Sequence, residues 1–236
     1  MAISVLNQIK RAKITSLARQ SLRPVYRRLR PYASLNSLDR KIEKYLPRNG
    51  VFIEAGANDG LNQSNTLFLA RKHGWSGILI EPVPRLYSRC IKNRKESQCV
   101  NAALVSPQDS GKVIGLIDVD LMTQVKSSNS FEANEVNLRA AEAIQGIKRR
   151  EISAIGRTLS EIIHESSFHH IDLLSLDVEG FELEVLRGLT NQAHFPNWIL
   201  IETSNINGVL DFLNGRYQTV EILSEHDYFL GLTDVT

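Results

Sequence analysis

Three carboxylates stand where apolar runs of the sequence end, and their positions make them the best candidates for chemistry. Asp177 and Glu179 follow the apolar run 171–176, and Glu202 follows the run 198–201. If both runs are strands of one parallel sheet, these side chains meet at its carboxyl edge, where such sheets bind ligands. The cluster can supply a general base whose pKa is raised by its neighbours, or it can supply ligands for Mg²⁺.

A glycine-containing turn joins the first predicted strand, Val51–Ala55, to a helix predicted over residues 62–73. Glycine permits positive φ angles and lets a ligand approach the backbone closely. The spacing differs from the G-x-G-x-x-G of dinucleotide folds and from the P-loop, which argues against both. It resembles the acidic-x-G-x-G-x-G loop of methyltransferases, with asparagine in place of the middle glycine. The candidate cofactor-binding residues of this turn are Glu54, Gly56, Ala57, Asn58, Asp59 and Gly60.

An acidic residue at the end of the second predicted strand, residues 78–80, fits the same kind of site. Glu81 follows Gly60 by 21 residues, and a carboxylate there can accept hydrogen bonds from both hydroxyls of a ribose. Pro82 ends the strand and turns the chain. Asn62 is either part of the same site or an ordinary N-cap of the first helix. The other candidate cofactor-binding residues open that helix or follow later strands, and they are Ser64, Asn65, Asn101, Ala102 and Asp177.

Strands and helices alternate along the rest of the chain. Helices are predicted over residues 84–94, 135–143, 158–164, 181–189 and 209–213, and strands over residues 98–104, 112–117 and 151–154. The last two predicted strands, residues 219–223 and 228–232, are expected to form a hairpin. This order predicts an α/β fold with a doubly wound, mostly parallel sheet that ends in an antiparallel hairpin.

Several motifs stand in an order that is typical of one family. They are the glycine turn, residues 80–84, residues 101–104 and, most specifically, the D-x-E-G-x-E-x-x-x-L-x-G segment at residues 177–188. On these motifs, residues 50–203 resemble the FkbM-type S-adenosylmethionine-dependent methyltransferases. The resemblance implies the class I, Rossmann-like methyltransferase fold with S-adenosyl-L-methionine as cofactor. It also implies that the methyl acceptor is a hydroxyl on a sugar, a glycan or a small natural product.

The acceptor that the resemblance implies bears on the choice between a base and a metal site. A pocket for a sugar hydroxyl would use three acids as hydrogen-bond acceptors, so we favour a metal-free base and treat Mg²⁺ as possible but not favoured. Amino-methylating enzymes carry Asp or Asn followed by Pro-Pro-Tyr, and this sequence lacks that motif. If the three carboxylates are not catalytic, we expect the base at His194, at His226 or within residues 118–150, where substrate choice should also lie.

Two other functions are compatible with a sheet of this kind. An NAD-dependent oxidoreductase is disfavoured because the G-x-G-x-x-G fingerprint is missing. A non-catalytic ligand-binding scaffold is disfavoured because the glycine turn, Glu81 and Asp177 are all retained.

Charge is distributed unevenly along the 236 residues. Residues 1–40 hold nine Lys or Arg and one acid, whereas the remainder holds 19 basic and 25 acidic residues. The mildly acidic remainder argues against nucleic acid as a partner. We predict a basic helical extension over residues 1–45 and a methyltransferase domain over residues 46–236. Residues 1–30 are interpreted as a helix packed on the domain, a peripheral helix on an anionic membrane or an Arg-rich transit peptide.

The cysteine count and the hydropathy pattern bear on the compartment. Cys90 and Cys99 are too few for a disulfide framework, which favours a reducing cytoplasm. No apolar run approaches the length of a membrane span. No feature of the sequence indicates an oligomeric state.

Overall fold

The computed structural model describes residues 32–119, 122–125 and 149–233. Its helices are α1 (Leu38–Ile42), α2 (Leu67–His73), α3 (Pro84–Asn93), α4 (Leu159–Glu165), α5 (Glu182–Arg187) and α6 (Ile206–Leu213). Its strands are β1 (Val51–Ala55), β2 (Ser76–Ile80), β3 (Gln98–Val100), β4 (Ala103–Leu104), β5 (Val113–Val119), β6 (Met122–Val125), β7 (Arg150–Arg157), β8 (Leu173–Leu176), β9 (Trp198–Glu202), β10 (Tyr217–Ile222) and β11 (Asp227–Leu232). Among these helices, none has the length and apolar character needed to cross a membrane.

The main sheet has seven strands in the order β10-β11-β9-β8-β1-β2-β3. Strands β3, β2, β1, β8 and β9 run parallel, whereas β11 is antiparallel to both β9 and β10. The predicted doubly wound sheet and its C-terminal antiparallel hairpin are therefore confirmed. Strand order reverses beside β1, which has β2 on one side and β8 on the other, and such a reversal creates the crevice in which ligands bind.

The central strands are continuous apolar runs because helices cover both faces of the sheet. One face packs against α4, α5 and α6, through residues that include Ile53, Leu174, Ile199, Ile162, Val185 and Val209. The other face packs against α1, α2 and α3, through residues that include Phe52, Leu79, Leu200, Leu38, Phe68 and Cys90. The two clusters hold the strand ends in fixed register, and these ends position the site.

The third predicted strand, residues 98–104, is interrupted at Asn101. The Glu81 N–H donates to the Val100 carbonyl, and the Asn101 side chain donates to the Glu81 and Pro82 carbonyls, which turns the chain out of the main sheet. Strand β4 consequently pairs with β7 in a second sheet of order β4-β7-β5-β6. The sequence did not indicate this second sheet.

The helix predicted over residues 62–73 begins only at Leu67, so the prediction was wrong at its start. Thr66 occupies the N-cap position, and the interpretation of Asn62 as the N-cap is also wrong. The preceding segment instead wraps around the buried carboxylate of Glu54, which accepts hydrogen bonds from Ser64 Oγ, the Asn65 N–H and Thr66 Oγ1. A buried carboxylate needs such donors, and this need overrides the helix propensity of the segment.

The first described residues pack against the main sheet. Leu38 and Ile42 are buried in its core, Lys41 Nζ donates to the Leu223 carbonyl at 2.6 Å, and the Tyr45 hydroxyl donates to Glu221 at 2.8 Å. Residues 32–45, which we assigned to the extension, are thus joined to the domain in this structure. Residues 1–31 and the helix predicted over residues 135–143 lie outside the described residues.

Arg94 is fully buried between the glycine turn and the segment that leads into α2. Its guanidinium donates to the Gly60 carbonyl at 3.1 Å and to Ser64 Oγ and Thr66 Oγ1 at 3.2 Å each. One of its nitrogens lies 3.9 Å from the Glu54 carboxylate. The removal of one partner from a buried pair leaves the other charge without compensation, which is strongly destabilising.

We predict that Arg94→Ala lowers the free energy of unfolding by about 3–5 kcal/mol, because Glu54 would then be buried without a cation. Arg89, exposed on α3, the helix that ends just before Arg94, provides the control, and Arg89→Ala should change the free energy by less than about 0.5 kcal/mol. Urea unfolding of both variants measures the difference. Equal denaturation midpoints would show that the buried pair does not hold the turn.

Candidate active site

Three adjoining cavities open at the carboxyl edge of the main sheet, and Asp177 lines all of them. The β2 cavity, of about 80 Å³, lies beside Glu81 and Ala102. The β1 cavity, of about 40 Å³, lies beside Asn65, and the β9 cavity, of about 170 Å³, lies beside Glu202. The three spaces together form a cleft that starts where the strand order reverses.

The β2 cavity combines an apolar slot with one carboxylate. Its apolar walls come from both sheets and include Ile80, Ala102, Leu104, Leu116, Val125 and Phe181. Glu81 is buried at one end, and its two oxygens accept hydrogen bonds at 2.8 Å from the Asn58 and Val83 N–H groups. Burial raises the pKa of Glu81 to about 7, although the two backbone hydrogen bonds oppose this shift. Each oxygen keeps a lone pair for a further donor.

The glycine turn passes close to the end of β8. Gly56 has φ +82°, and a Cβ atom there would stand 2.0 Å from the Asp177 carbonyl oxygen, so only glycine fits. Asn58 has φ +50°, a left-handed conformation that asparagine adopts more readily than most residues. The asparagine therefore preserves the shape that a glycine would give at this position.

The β1 cavity holds an unsatisfied acceptor. Asn65 Nδ2 donates to Ser175 Oγ at 3.0 Å, but Asn65 Oδ1 is buried and receives no hydrogen bond from the residues that the structure describes. A buried acceptor without a donor costs about 1–3 kcal/mol. A ligand that brings a donor into this cavity would recover that cost.

The three carboxylates predicted to converge all line the β9 cavity, together with Asp227. Asp177 is accessible from the cleft, where desolvation and then the charges of Glu179 and Glu202 raise its pKa. Burial and then Glu202 raise the pKa of Glu179 to about 7, and partial burial followed by Asp227 raises the pKa of Glu202. Glu179 has φ +55° and precedes a glycine with φ +94°, so a tight left-handed turn carries it between the β2 and β9 cavities.

Hydrogen bonding divides the acids of the cleft into two groups. The first group accepts hydrogen bonds from neighbouring residues and includes Glu54 and Glu81. It also includes Glu182, which accepts from the Gly180 N–H, and Asp227, which accepts from Ser224 Oγ. Within the described ranges, no residue donates a hydrogen bond to the carboxylates of Asp177, Glu179 or Glu202. These three are free to accept from a ligand.

A search of known families decides the class of this protein. Residues 54–229 match the model of the methyltransferase FkbM domain. The chain belongs to the FkbM methyltransferase family. It is an S-adenosylmethionine-dependent methyltransferase, which removes the oxidoreductase alternative.

Individual relatives of this FkbM methyltransferase are distant. Methyltransferase sdnD of Sordaria araneosa is 26% identical over 190 residues, which cover 70% of each protein. Methyltransferase 1 of Beauveria bassiana is 26% identical over 194 residues, which cover 78% of this chain and 73% of that protein. The crystal structure of methyltransferase FkbM from Methylobacillus flagellatus KT matches at 12% identity with a TM-score of 0.47, over 80% of this chain and 44% of that one.

The residues of the cleft fit S-adenosylmethionine. Glu81, beside an apolar slot, suits the ribose hydroxyls and the adenine ring, and the unsatisfied Asn65 Oδ1 suits the ammonium of the methionine moiety. The predicted residues that line the cleft are Glu54, Gly56, Asn58, Asn65, Glu81, Pro82, Ala102, Asp177, Glu179 and Glu202.

Other predicted cofactor residues support the cleft from outside its lining. Asp59 braces the glycine turn by accepting from the Leu61 and Asn62 N–H groups. Ser64 is buried against Glu54, and Asn101 holds the turn after β2. Ala57 donates its N–H to the Ile80 carbonyl, and the backbone of Gly60 packs against Arg94 and Cys90.

Several lining residues were not found from the sequence. Asp227 begins β11, and the antiparallel return of the predicted hairpin was the signal that could have placed it at this edge. Ser175 is the penultimate residue of β8, and Thr123 comes from a stretch whose sequence shows no regular pattern. The alternative base His194 precedes β9 and so lies at the opposite edge of the sheet, whereas His226 lies close enough to Glu202 to oppose slightly the rise in the pKa of Glu202.

We predict that Glu81→Ala weakens binding of S-adenosylhomocysteine by about 1–3 kcal/mol, because ribose hydroxyls would lose their buried acceptor. Glu165, exposed at the end of α4 on the opposite side of the sheet, provides the control. Isothermal titration calorimetry of both folded variants measures the affinities. An unchanged dissociation constant for Glu81→Ala would remove Glu81 from the cofactor site.

The crowding of acids also predicts that the free energy of unfolding depends on pH. Glu179 keeps its proton up to about pH 7 in the folded protein, whereas its ordinary pKa is 4.5, so stability falls as the pH rises through this window. Glu179→Gln should therefore raise the free energy of unfolding of the ligand-free protein by about 1–3 kcal/mol at pH 8 and change it little at pH 4.5. Urea titrations at both pH values test this, with Glu165→Gln as control. A gain of equal size at both pH values would contradict the electrostatic cause.

Proposed function

We propose that this methyltransferase modifies a hydroxyl oxygen of a sugar, a glycan or a small natural product, with Glu179 as the general base. One observation carries the proposal: a free carboxylate whose pKa is raised to about 7 lies between the cavity that fits the cofactor and a second, larger cavity. A base with a pKa near the working pH combines a useful ionised fraction with a useful basicity.

In the proposed reaction, each residue of the cleft has a separate role. S-adenosylmethionine, when bound, supplies a methyl group on a sulfonium sulfur that is a good leaving group. Glu81 would hold the ribose and Asn65 the methionine part of the cofactor, and the glycine turn leaves room beside its backbone. Glu179 accepts the proton of the acceptor hydroxyl, and Asp177 and Glu202 receive hydrogen bonds from other donors of the acceptor. Alignment of this kind contributes about 7–11 kcal/mol in favourable cases.

The alternative use of the same carboxylates is to bind Mg²⁺. Within the described ranges, no three His, Cys, Asp or Glu residues have the arrangement of a metal site. We therefore propose the metal-free mechanism.

We predict that Glu179→Gln lowers kcat by about 10²–10⁴-fold and leaves the affinity for S-adenosylhomocysteine nearly unchanged. The rate of the unaltered enzyme should rise with pH up to about 7, because Glu179 must be ionised to accept the proton. Glu184→Gln, on the helix that follows, provides the control. The assay follows transfer of an isotopically labelled methyl group to hydroxylated metabolites, and NMR identifies the atom that carries it.

Three results of this assay would contradict the proposal. A label on nitrogen or carbon would exclude the hydroxyl acceptor. Near-full turnover in Glu179→Gln would exclude Glu179 as the general base. Activity that EDTA abolishes and Mg²⁺ restores would exclude the metal-free version.

A further inference from the structure

The β9 cavity is closed on one side by residues that precede the matched family domain. Leu35 and Leu38 line it, whereas the match to the FkbM domain begins at residue 54. Leu38 is buried, whereas Leu35 is 52% exposed and lines the open side of the cavity. The acceptor side of the cleft is thus built partly from a segment outside the family domain.

This segment, residues 32–38, is held in place by a buried carboxylate. Asp39 is fully buried and accepts hydrogen bonds from the Ala33 N–H at 2.7 Å, from Ser34 Oγ at 2.7 Å and from the Ser34 N–H at 3.3 Å. Ser34 also forms a β-bridge with Gln63, which itself lines the cavity. The segment is therefore fixed against the cofactor side of the cleft, and Leu35 has a defined position at the cavity.

The lining of the β9 cavity contains two chemically different sets of side chains. One set is apolar and includes Leu35, Leu38 and Leu200. The other set is Asp177, Glu179, Glu202 and Asp227, and no Lys, Arg or His within the described ranges lines the cavity. Once these carboxyls are ionised, they would repel an anion that is brought into this space.

We propose that this cavity selects uncharged, hydroxylated acceptors of about one six-membered ring that carry an apolar edge, and that Leu35 recognises this edge. The expected size of the acceptor follows from the volume of the cavity. The cavity measures about 170 Å³, and a buried cavity of about 150 Å³ holds benzene. Hydroxyls of the acceptor donate to the carboxylates, and its apolar edge packs on the leucines. Phosphorylated and carboxylated acceptors are rejected. This inference rests on the proposed function.

Three sugars that differ only at C6 test the selection: 6-deoxy-D-glucose, D-glucose and D-glucose 6-phosphate. Their binding to the full-length protein saturated with S-adenosylhomocysteine is measured by saturation-transfer NMR titration. We expect the 6-deoxy sugar to bind more tightly than glucose, and glucose 6-phosphate to give no saturable signal. Binding of the phosphate as tight as that of glucose, or no binding of either neutral sugar, would overturn the proposal.

Leu35→Ser tests the role of the leucine directly. The change should weaken binding of 6-deoxy-D-glucose by about fivefold, as expected for the loss of half of a leucine contact, and should leave glucose nearly unaffected. Val113→Ser provides the matched control, because Val113 is 69% exposed and does not line the cavity. Calorimetry with S-adenosylhomocysteine must give the same affinity for both variants, which shows that the cofactor site is intact.

The outcomes separate this inference from the proposed function. If Leu35→Ser keeps the preference for the 6-deoxy sugar, the inference fails, whatever atom the enzyme methylates. If the labelled methyl group of the turnover assay is found on nitrogen, the proposed function fails, whatever Leu35 does.

Discussion

The buried carboxylate of Glu54 is the constraint on which the cleft depends. It stands at the end of β1, gathers three donors from residues 64–66 and faces the fully buried Arg94. Arg94 in turn holds the Gly60 carbonyl, so both ends of the glycine turn are tied to one pair of opposite charges. With its turn fixed in this way, the chain can present the Asn58 N–H to Glu81, and Asn65, which lines the β1 cavity, keeps Oδ1 without a donor from the described residues.

On the far side of the cleft, the acids have no compensating Lys or Arg among the described residues. Glu54 is compensated by Arg94, whereas Asp177, Glu179 and Glu202 are crowded among other acids, and desolvation and the neighbouring carboxylates raise their pKa values. Such crowding costs stability, and functional sites are where folded proteins tolerate local conflicts of this sort. The glycine turn, which is held by the Glu54–Arg94 pair, lies next to the three crowded acids. It therefore holds that side of the cleft in place.

Sequence reasoning succeeded where a single local rule decides the outcome. Strand β1 was predicted with its observed limits, and the rule that ligands meet strand ends brought Asp177, Glu179 and Glu202 to one cavity. It failed where a distant partner overrides local pattern. The donors demanded by Glu54 delay the start of α2, and the turn at Asn101 sends β4 into a second sheet. Leu35 reaches the cleft through buried contacts of Asp39, which no periodicity reveals.

The origin of the cavity wall has a consequence for how this enzyme can diverge. The carboxylates proposed to react lie at or just beyond the ends of sheet strands, but one wall of the space beside them comes from a short segment that enters the fold before β1. With the roles proposed above, mutations in that segment would alter the preferred acceptor while every strand, every helix and the three acids stay as they are. Exchange of residues 32–38 would then be a short evolutionary route to new products, because this part of the recognition is encoded apart from the carboxylates.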